Sequence, residues 1–313
     1  MSRAMGQVKT MPAVPVAERS VGLDRETRTR SYAGMAWRRF RANPPAMAGL
    51  IIVVLMIALA LFADVVSAYI THHTTYEQNL AARFAPVGDD GYLLGSDALG
   101  RDVATRLLYG ARVTLGVAGL SIVGALLIGV GYGMIAGYYG SWVDSVLMRF
   151  VDIMLAIPTL FLLLLIASLW RMGPVTLAFI IAAVGWVTLS RLVRGEVLAV
   201  KEREYVDAAR VVGASYQRIM LRHILPNVAP IVIVWTGLTV PGLMLWEATL
   251  SYLGLGIQQP MPSWGNMLSD AQRVWGHSIS LVFLPGLAIF VTVFAINLVG
   301  NGLRDALDPR LGD

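Results

Sequence analysis

Few side chains in this 313-residue chain are of types that do chemistry, and their spacing argues against an enzyme. There is no cysteine, so disulfides and thiol chemistry are excluded and no redox compartment can be read. The histidines are His72, His73, His223 and His277; none falls within a long apolar run, and no His-Glu zinc spacing occurs. No Gly-Lys-Ser or Gly-Lys-Thr is present, so the chain has no phosphate-cradling nucleotide loop. What remains is one long basic segment, Lys201 to Asn227 (KEREYVDAARVVGASYQRIMLRHILPN), and scattered charges at the ends of apolar runs.

That segment has the marks of a docking element. A connector between two apolar helices could be much shorter. A first short helix carrying Asp207, Ala208 and Ala209 ends near Gly213, because glycine takes the left-handed conformation that closes a helix. Ser215 caps a second helix that runs to about Leu225 and stops near Pro226, after Ile224. The alanines keep one face thin enough for a partner to approach closely, and Asp207 can meet a basic group there. The plainer alternative is a solvated basic loop.

The elements that position this segment are apolar. The hydrophobic fraction is 56 %, the charged fraction 14 % and the mean hydropathy +0.64. A soluble domain carries roughly 25 % charged residues, so the excess apolar surface must face lipid. A spanning helix needs about 20 apolar residues. Six runs qualify: 47–66, 113–136, 150–169, 175–193, 228–250 and 279–303. This is an all-α membrane protein with both termini on one side. Basic residues collect on the cytoplasmic face, which places the termini there. Arg149, Arg191, Arg194, Lys201, Arg203, Arg210, Arg218, Arg222, Arg304 and Arg310 then lie inside with the basic N-terminal residues. Only Arg83, Arg101, Arg106, Arg112, Arg171 and Arg273 lie outside. The net charge of +5 forms no basic stripe for nucleic acid.

Residues 1–30 read as a disordered cytoplasmic tail. Residues 31–45 read as a basic, aromatic segment on the membrane surface, or as more tail. The membrane-spanning body is 46–313, with a cytoplasmic loop at 195–227 and outer loops at 71–112 and 251–278. Within the last, Trp264, Met267, Leu268, Ala271, Val274 and Trp275 recur at helical spacing, as in a short amphipathic helix with tryptophans at headgroup level. It either lines the mouth of a pathway or caps the bundle. Gly129, Gly133 and Gly137 form a close-packing face.

Glu247 is the best intramembrane charge, facing a pathway or solvated at the interface. Asp152 is expected to pair with Arg149, Asn297 to bond a neighbouring helix, and Asp102 to pair with Arg106 in a separate outer helix. Pro158, Pro230, Pro241 and Pro285 remove backbone hydrogen bonds and can kink their helices, as a gate would need.

The Lys201–Asn227 segment resembles the coupling loop of ABC importer permeases: an acidic residue before two alanines, a glycine four residues after the second, and a later Ile-Leu-Pro. Asp207 stands where the usual residue is glutamate. LLGSDALGRDVATRLLYGARVTL (Leu93–Leu115), FVDIMLAIPTLFLLLL (Phe150–Leu165) and SYLGLGIQQPMPSWGNML (Ser251–Leu268) resemble hallmarks of the dipeptide/oligopeptide/nickel permease group, of its C type. The likeness runs from about Trp37 to Gly312. It implies a type I permease with six spans in a bacterial inner membrane, forming half of a pathway for peptides. Nickel or another small solute is the alternative. It implies partners too: a second homologous permease, two cytoplasmic ATPase subunits that bind ATP and Mg, an extracytoplasmic binding protein and lipid. No cofactor or metal belongs to this chain, and ATP hydrolysis belongs to its partners. The residues it marks for coupling are Tyr205, Asp207, Ala208, Ala209, Gly213, Ala214, Ser215, Ile224, Leu225 and Pro226. Glu247, Pro241, Trp264 and Pro158 are the pathway or gate candidates. An ATP-independent carrier would ordinarily show charges deep in several spans, and would leave the basic loop unexplained.

Overall fold

The computed structural model describes residues 32–89 and 91–308. The tail expected over residues 1–30 lies outside them, as does Arg310. Among the described residues there is no β-strand, only an isolated antiparallel bridge between Ser96 and Asp102.

Helix starts follow local chemistry. After α1 (Tyr32–Arg41), the Asn43 side chain accepts from the Ala46 N–H at 3.2 Å and opens α2 (Pro44–Leu61), whose first two residues are prolines with no N–H to leave unpaired. A short α3 (Ala63–Val66) and a π turn (Ser67–Thr71) lead into an irregular segment. Asp102 then caps α4 (Val103–Tyr139), its Oδ2 accepting from Thr105 N–H at 2.6 Å. Asp102 therefore caps rather than pairs, and the separate outer helix expected before the second span is the first turns of α4 itself. Asp102→Ala should lower stability by about 1 kcal/mol, with faster amide exchange at residues 104–106 as the readout.

The run 150–169 is not one helix. α5 (Ser141–Ala156) and α6 (Thr159–Ala167) meet at 84°. Ile157 precedes Pro158 and is pushed into extended backbone, φ −94° and ψ 124°. A milder bend of 45° separates α7 (Pro174–Gly185) from α8 (Val187–Lys201). α9 (Glu204–Val211), α10 (Tyr216–Ile219) and a π turn (Met220–Ile224) lead into α11 (Leu225–Tyr252). Pro226 does not stop this helix as expected. The wider π turn accommodates its ring, and the backbone runs on from Tyr216 to Tyr252. Pro230 and Pro241 lie inside α11 without breaking it. α12 (Trp264–Gln272) and α13 (Ser280–Leu307), which contains Pro285, complete the chain.

Four unbroken stretches are long and apolar enough to cross a membrane: Pro44–Leu61, Val103–Tyr139, Tyr216–Tyr252 and Ser280–Leu307. The two bent pairs raise the number to six if each is one span. Their apolar side chains point outward. Leu127 is 73 % exposed, Phe161 67 % and Leu61 66 %. Apolar surface on that scale belongs in lipid, and the protein is membrane-embedded and multi-pass.

α4 is the axis of the bundle. At 37 residues it is about 55 Å long, well beyond a 30 Å hydrocarbon core. Its Gly129, Gly133 and Gly137 face α8. A Cβ at Gly133 would lie 2.5 Å from Ser190 O and 2.7 Å from Val193 Cβ. α11 and α13 touch backbone to backbone, where a Cβ at Gly237 would be 2.9 Å from Gly300 Cα. α1 is latched to the end of α13 by Phe40, which is buried beside Gly302, and by Arg39 Nη1 donating to Asp308 O at 3.3 Å. The two ends of the described chain therefore lie together.

Candidate functional site

The Lys201–Asn227 segment forms a compact helical projection where α4 and α8 end and α11 begins. α9 closes with Gly213 at φ +83°, a conformation that favours glycine. Gly213 N–H donates to Arg210 O at 2.9 Å, and Ala214 N–H donates back to Ala209 O at 3.0 Å. These paired bonds satisfy the last carbonyls of α9 and turn the chain sharply. Ser215 Oγ then accepts from Arg218 N–H and caps α10.

Three fully buried side chains root the projection in the bundle: Val206, Ile219 and Ile224. Around them the polar anchors are local. Lys201 Nζ donates to Gly137 O at 3.1 Å, and Tyr216 meets Tyr138 and Tyr139 edge-on. Asp144 takes both Nε and Nη2 of Arg194, which ties α5 to α8. Asp207 pairs with Arg210 on its own helix at 2.7 Å, an exposed pair of little energetic weight. Ala208 is exposed and Ala209 half-buried. The residues expected to dock therefore divide: Ile224 is structural, Leu225 is half-buried, and Tyr205, Asp207, Ala208, Gly213, Ser215 and Pro226 are exposed.

The tip itself is apolar. Val211 and Val212 are each 87 % exposed, and Tyr216 and Leu221 of the same projection are exposed too. Two bare valines beside a helix-closing glycine are a surface with no partner among the described residues. The sequence signal was the Val-Val pair directly before Gly213, on neither periodic apolar face.

At the opposite end of the bundle the gate candidates are mostly buried. Glu247 is fully buried on α11. Its Oε1 accepts from Ser251 Oγ at 2.8 Å, while Oε2 has no partner among the described residues. It is not solvated at the interface. Trp264 is 1 % exposed, with Nε1 donating to Leu107 O at 3.0 Å and its ring against Gly110. α12 therefore packs Trp264, Met267 and Ala271 inward, and of the six residues expected on that face only Trp275, beyond the helix end, is exposed. Pro241 is buried inside α11, and Pro158 is exposed at the α5–α6 break.

Three expected partners differ. Asp152 pairs with Arg191 of α8, not with Arg149. Asn297 Nδ2 donates to Val293 O of its own helix at 2.9 Å. Arg106 sits 3.7 Å from Asp97, and Asp97 is also bound by Arg101 at 2.6 Å. Below them, Asp64 joins α3 to α4 through Arg112 and Tyr109. Those two groups, Arg112 first, hold its carboxyl below the usual carboxylate range. That contribution is present above the ordinary carboxylate pKa and fades as pH falls through the lowered one.

Residues 129–313 match the family described as binding-protein-dependent transport system inner membrane component, a span that includes the whole projection. Residues 31–86 match the N-terminal TM domain of oligopeptide transport permease C. The oligopeptide transport system permease protein OppC of Bacillus subtilis (strain 168) is 41 % identical over 276 residues, 88 % of this chain and 89 % of its own. The dipeptide transport system permease protein DppC of the same organism is 41 % identical over 283 residues, 90 % of this chain and 87 % of its own. The glutathione transport system permease protein GsiD of Pectobacterium atrosepticum is 36 % identical over 276 residues, 88 % of this chain and 90 % of its own. A multi-pass helical body matched along nearly its full length in this way belongs to the binding-protein-dependent transport system inner membrane components, and the chain is a permease subunit.

Proposed function

We propose that this permease forms half of the translocation pathway of an ATP-driven (ABC) importer for short peptides. The exposed Val211–Val212 tip, held on a rooted helical projection, is the observation that carries the coupling half of this reading. It is a surface shaped for a protein partner at one end of the bundle. That partner is a cytoplasmic ATPase subunit, one of two, which binds ATP and Mg. Tyr205, Asp207, Ala208, Ala209, Gly213, Ala214 and Ser215 form or frame the docking face, and Ile224, Leu225 and Pro226 pass its movement into α11.

The positive-inside distribution supports an orientation with this end and both termini in the cytoplasm, and the family supports a bacterial inner membrane. Peptide arrives at the other end from an extracytoplasmic binding protein. The names of the relatives support the solute class, since two of the three are oligopeptide and dipeptide permeases. A second homologous permease supplies the other half. Pro158, exposed at the α5–α6 break, borders the shared pathway. Glu247, Pro241 and Trp264 are buried and hold the frame of the outer gate.

Uptake of a labelled dipeptide into proteoliposomes tests this, using the whole transporter assembled with its ATPases, second permease and binding protein. Uptake should require ATP and loaded binding protein together. Uptake that persists without ATP would instead point to a carrier working by itself.

A further inference from the structure

Away from the docking projection, the first turns of α4, the loop before α12 and α12 itself enclose a cavity of about 310 Å³. Its size is at the lower end of small-molecule sites, which run from about 300 to 1,000 Å³. One wall is apolar, built by Val103, Met267, Ala271, Val274 and Leu281. The other carries Arg101, Arg106, Asp97, Gln259 and Asp270.

The two arginines of that wall differ. Arg101 has a partner at each of its three nitrogens: Nε meets Asp97 at 2.6 Å, Nη1 donates to Gln259 Oε1 at 2.9 Å, and Nη2 reaches Asp270 at 3.5 Å. Arg106 is only 2 % exposed, yet its contacts are long. Nη2 lies 3.4 Å from Gln259 Oε1, Nε lies 3.7 Å from Asp97, and Nη1 has no partner among the described residues. A guanidinium holds its proton, so a buried N–H without an acceptor keeps its full desolvation penalty. The lining holds three arginines, counting Arg273, against the two carboxylates of Asp97 and Asp270, an excess of one positive charge. A singly charged planar acceptor fits that balance. A doubly charged anion would be repelled by the two aspartates in the same wall. Gln259 also lines a second hollow with Ser168, Trp170 and Arg171, at the junction of α6 and α7.

We propose that this cavity is an outer subsite for a small carboxylate with an apolar body, such as the C-terminal residue of a short peptide. The carboxylate accepts from Arg106 Nη1, and the apolar part lies against Met267, Ala271 and Val274. The choice of a peptide rests on the function proposed above. The subsite would hold solute between its release by the binding protein and its entry between the permeases.

The test is calorimetric titration of the complete transporter in nanodiscs, without binding protein. The probes are the dipeptide Leu-Leu and its C-terminal amide. Leu-Leu should bind, and amidation should weaken binding at least tenfold. Arg106→Gln should weaken it as much. Val274→Trp, which fills the cavity and leaves every bond of Arg106 in place, should abolish it while the complex elutes intact. Equal binding of acid and amide would overturn the assignment. So would unchanged binding by Val274→Trp, or no binding of Leu-Leu to the wild type. If Leu-Leu fails to bind but Arg106→Gln weakens docking of the binding protein, the acceptor is a partner's acidic side chain and the subsite is wrong. If Leu-Leu binds as expected but no peptide is imported, the subsite stands and the transported class is wrong. If import is intact and the binding differences are missing, only the subsite falls.

Discussion

Val212→Asp should leave insertion and folding unchanged and reduce binding-protein-stimulated ATP hydrolysis by tenfold or more. Val212 is 87 % exposed, so the aspartate is solvated in the free chain and nothing within it is strained. Once docked, the same position is covered. Burying a valine side chain contributes about 1.5–3 kcal/mol. An aspartate there forfeits that and adds the penalty for an unpaired charge. A loss of 1.4 kcal/mol is already tenfold in affinity. Co-purification of the ATPase and stimulated hydrolysis, measured on the same preparation, read the effect. Gly213→Val is the complementary variant. A Cβ there meets no atom within 4 Å, so only the φ of +83° resists it, at about 1–2 kcal/mol. It should weaken coupling by distorting the turn rather than the surface. Stimulation that survives both changes would remove the projection from the coupling path.

Gly133→Leu should destabilise the bundle itself. The new Cβ would fall 2.5 Å from a backbone oxygen of α8, which cannot rotate away as a side-chain tip can. α4 and α8 must separate, and the packing along Gly129, Gly133 and Gly137 separates with them. Overpacking of this kind costs about 1–3 kcal/mol and more where backbone must move. The readout is the midpoint of thermal aggregation in detergent, compared with Gly131→Leu. Gly131 lies on the same helix with nothing within 4 Å of its Cβ, so that variant controls for the glycine itself. Equal midpoints for the two would show that α4 and α8 are not in the contact described.

What the sequence by itself determined was local. Apolar runs of the right length marked the membrane helices, because lipid demands about 20 apolar residues in any context. Ser215 is a cap type placed before a helical run, and so is Asp102, although Asp102 read as an ion-pair residue until α4 was seen to begin beside it. Gly213 marked the turn of the docking element because few other residues tolerate its backbone. What only the tertiary structure decided was anything set by neighbours. Four prolines lie inside apolar runs, and only Pro158 breaks one. The chemistry of the ring is the same at each, so the difference lies in the packing around the helix. Asp152 found Arg191, 39 residues away, because the bend at Pro158 and the packing of α5 on α8 bring them together. Glu247 read as either a pathway charge or an interfacial one, and within this chain it is fully buried beside Ser251 of its own helix. Ion-pair choice and burial depend on which helices touch, and a hydrophobic period shows that a face is covered without naming what covers it.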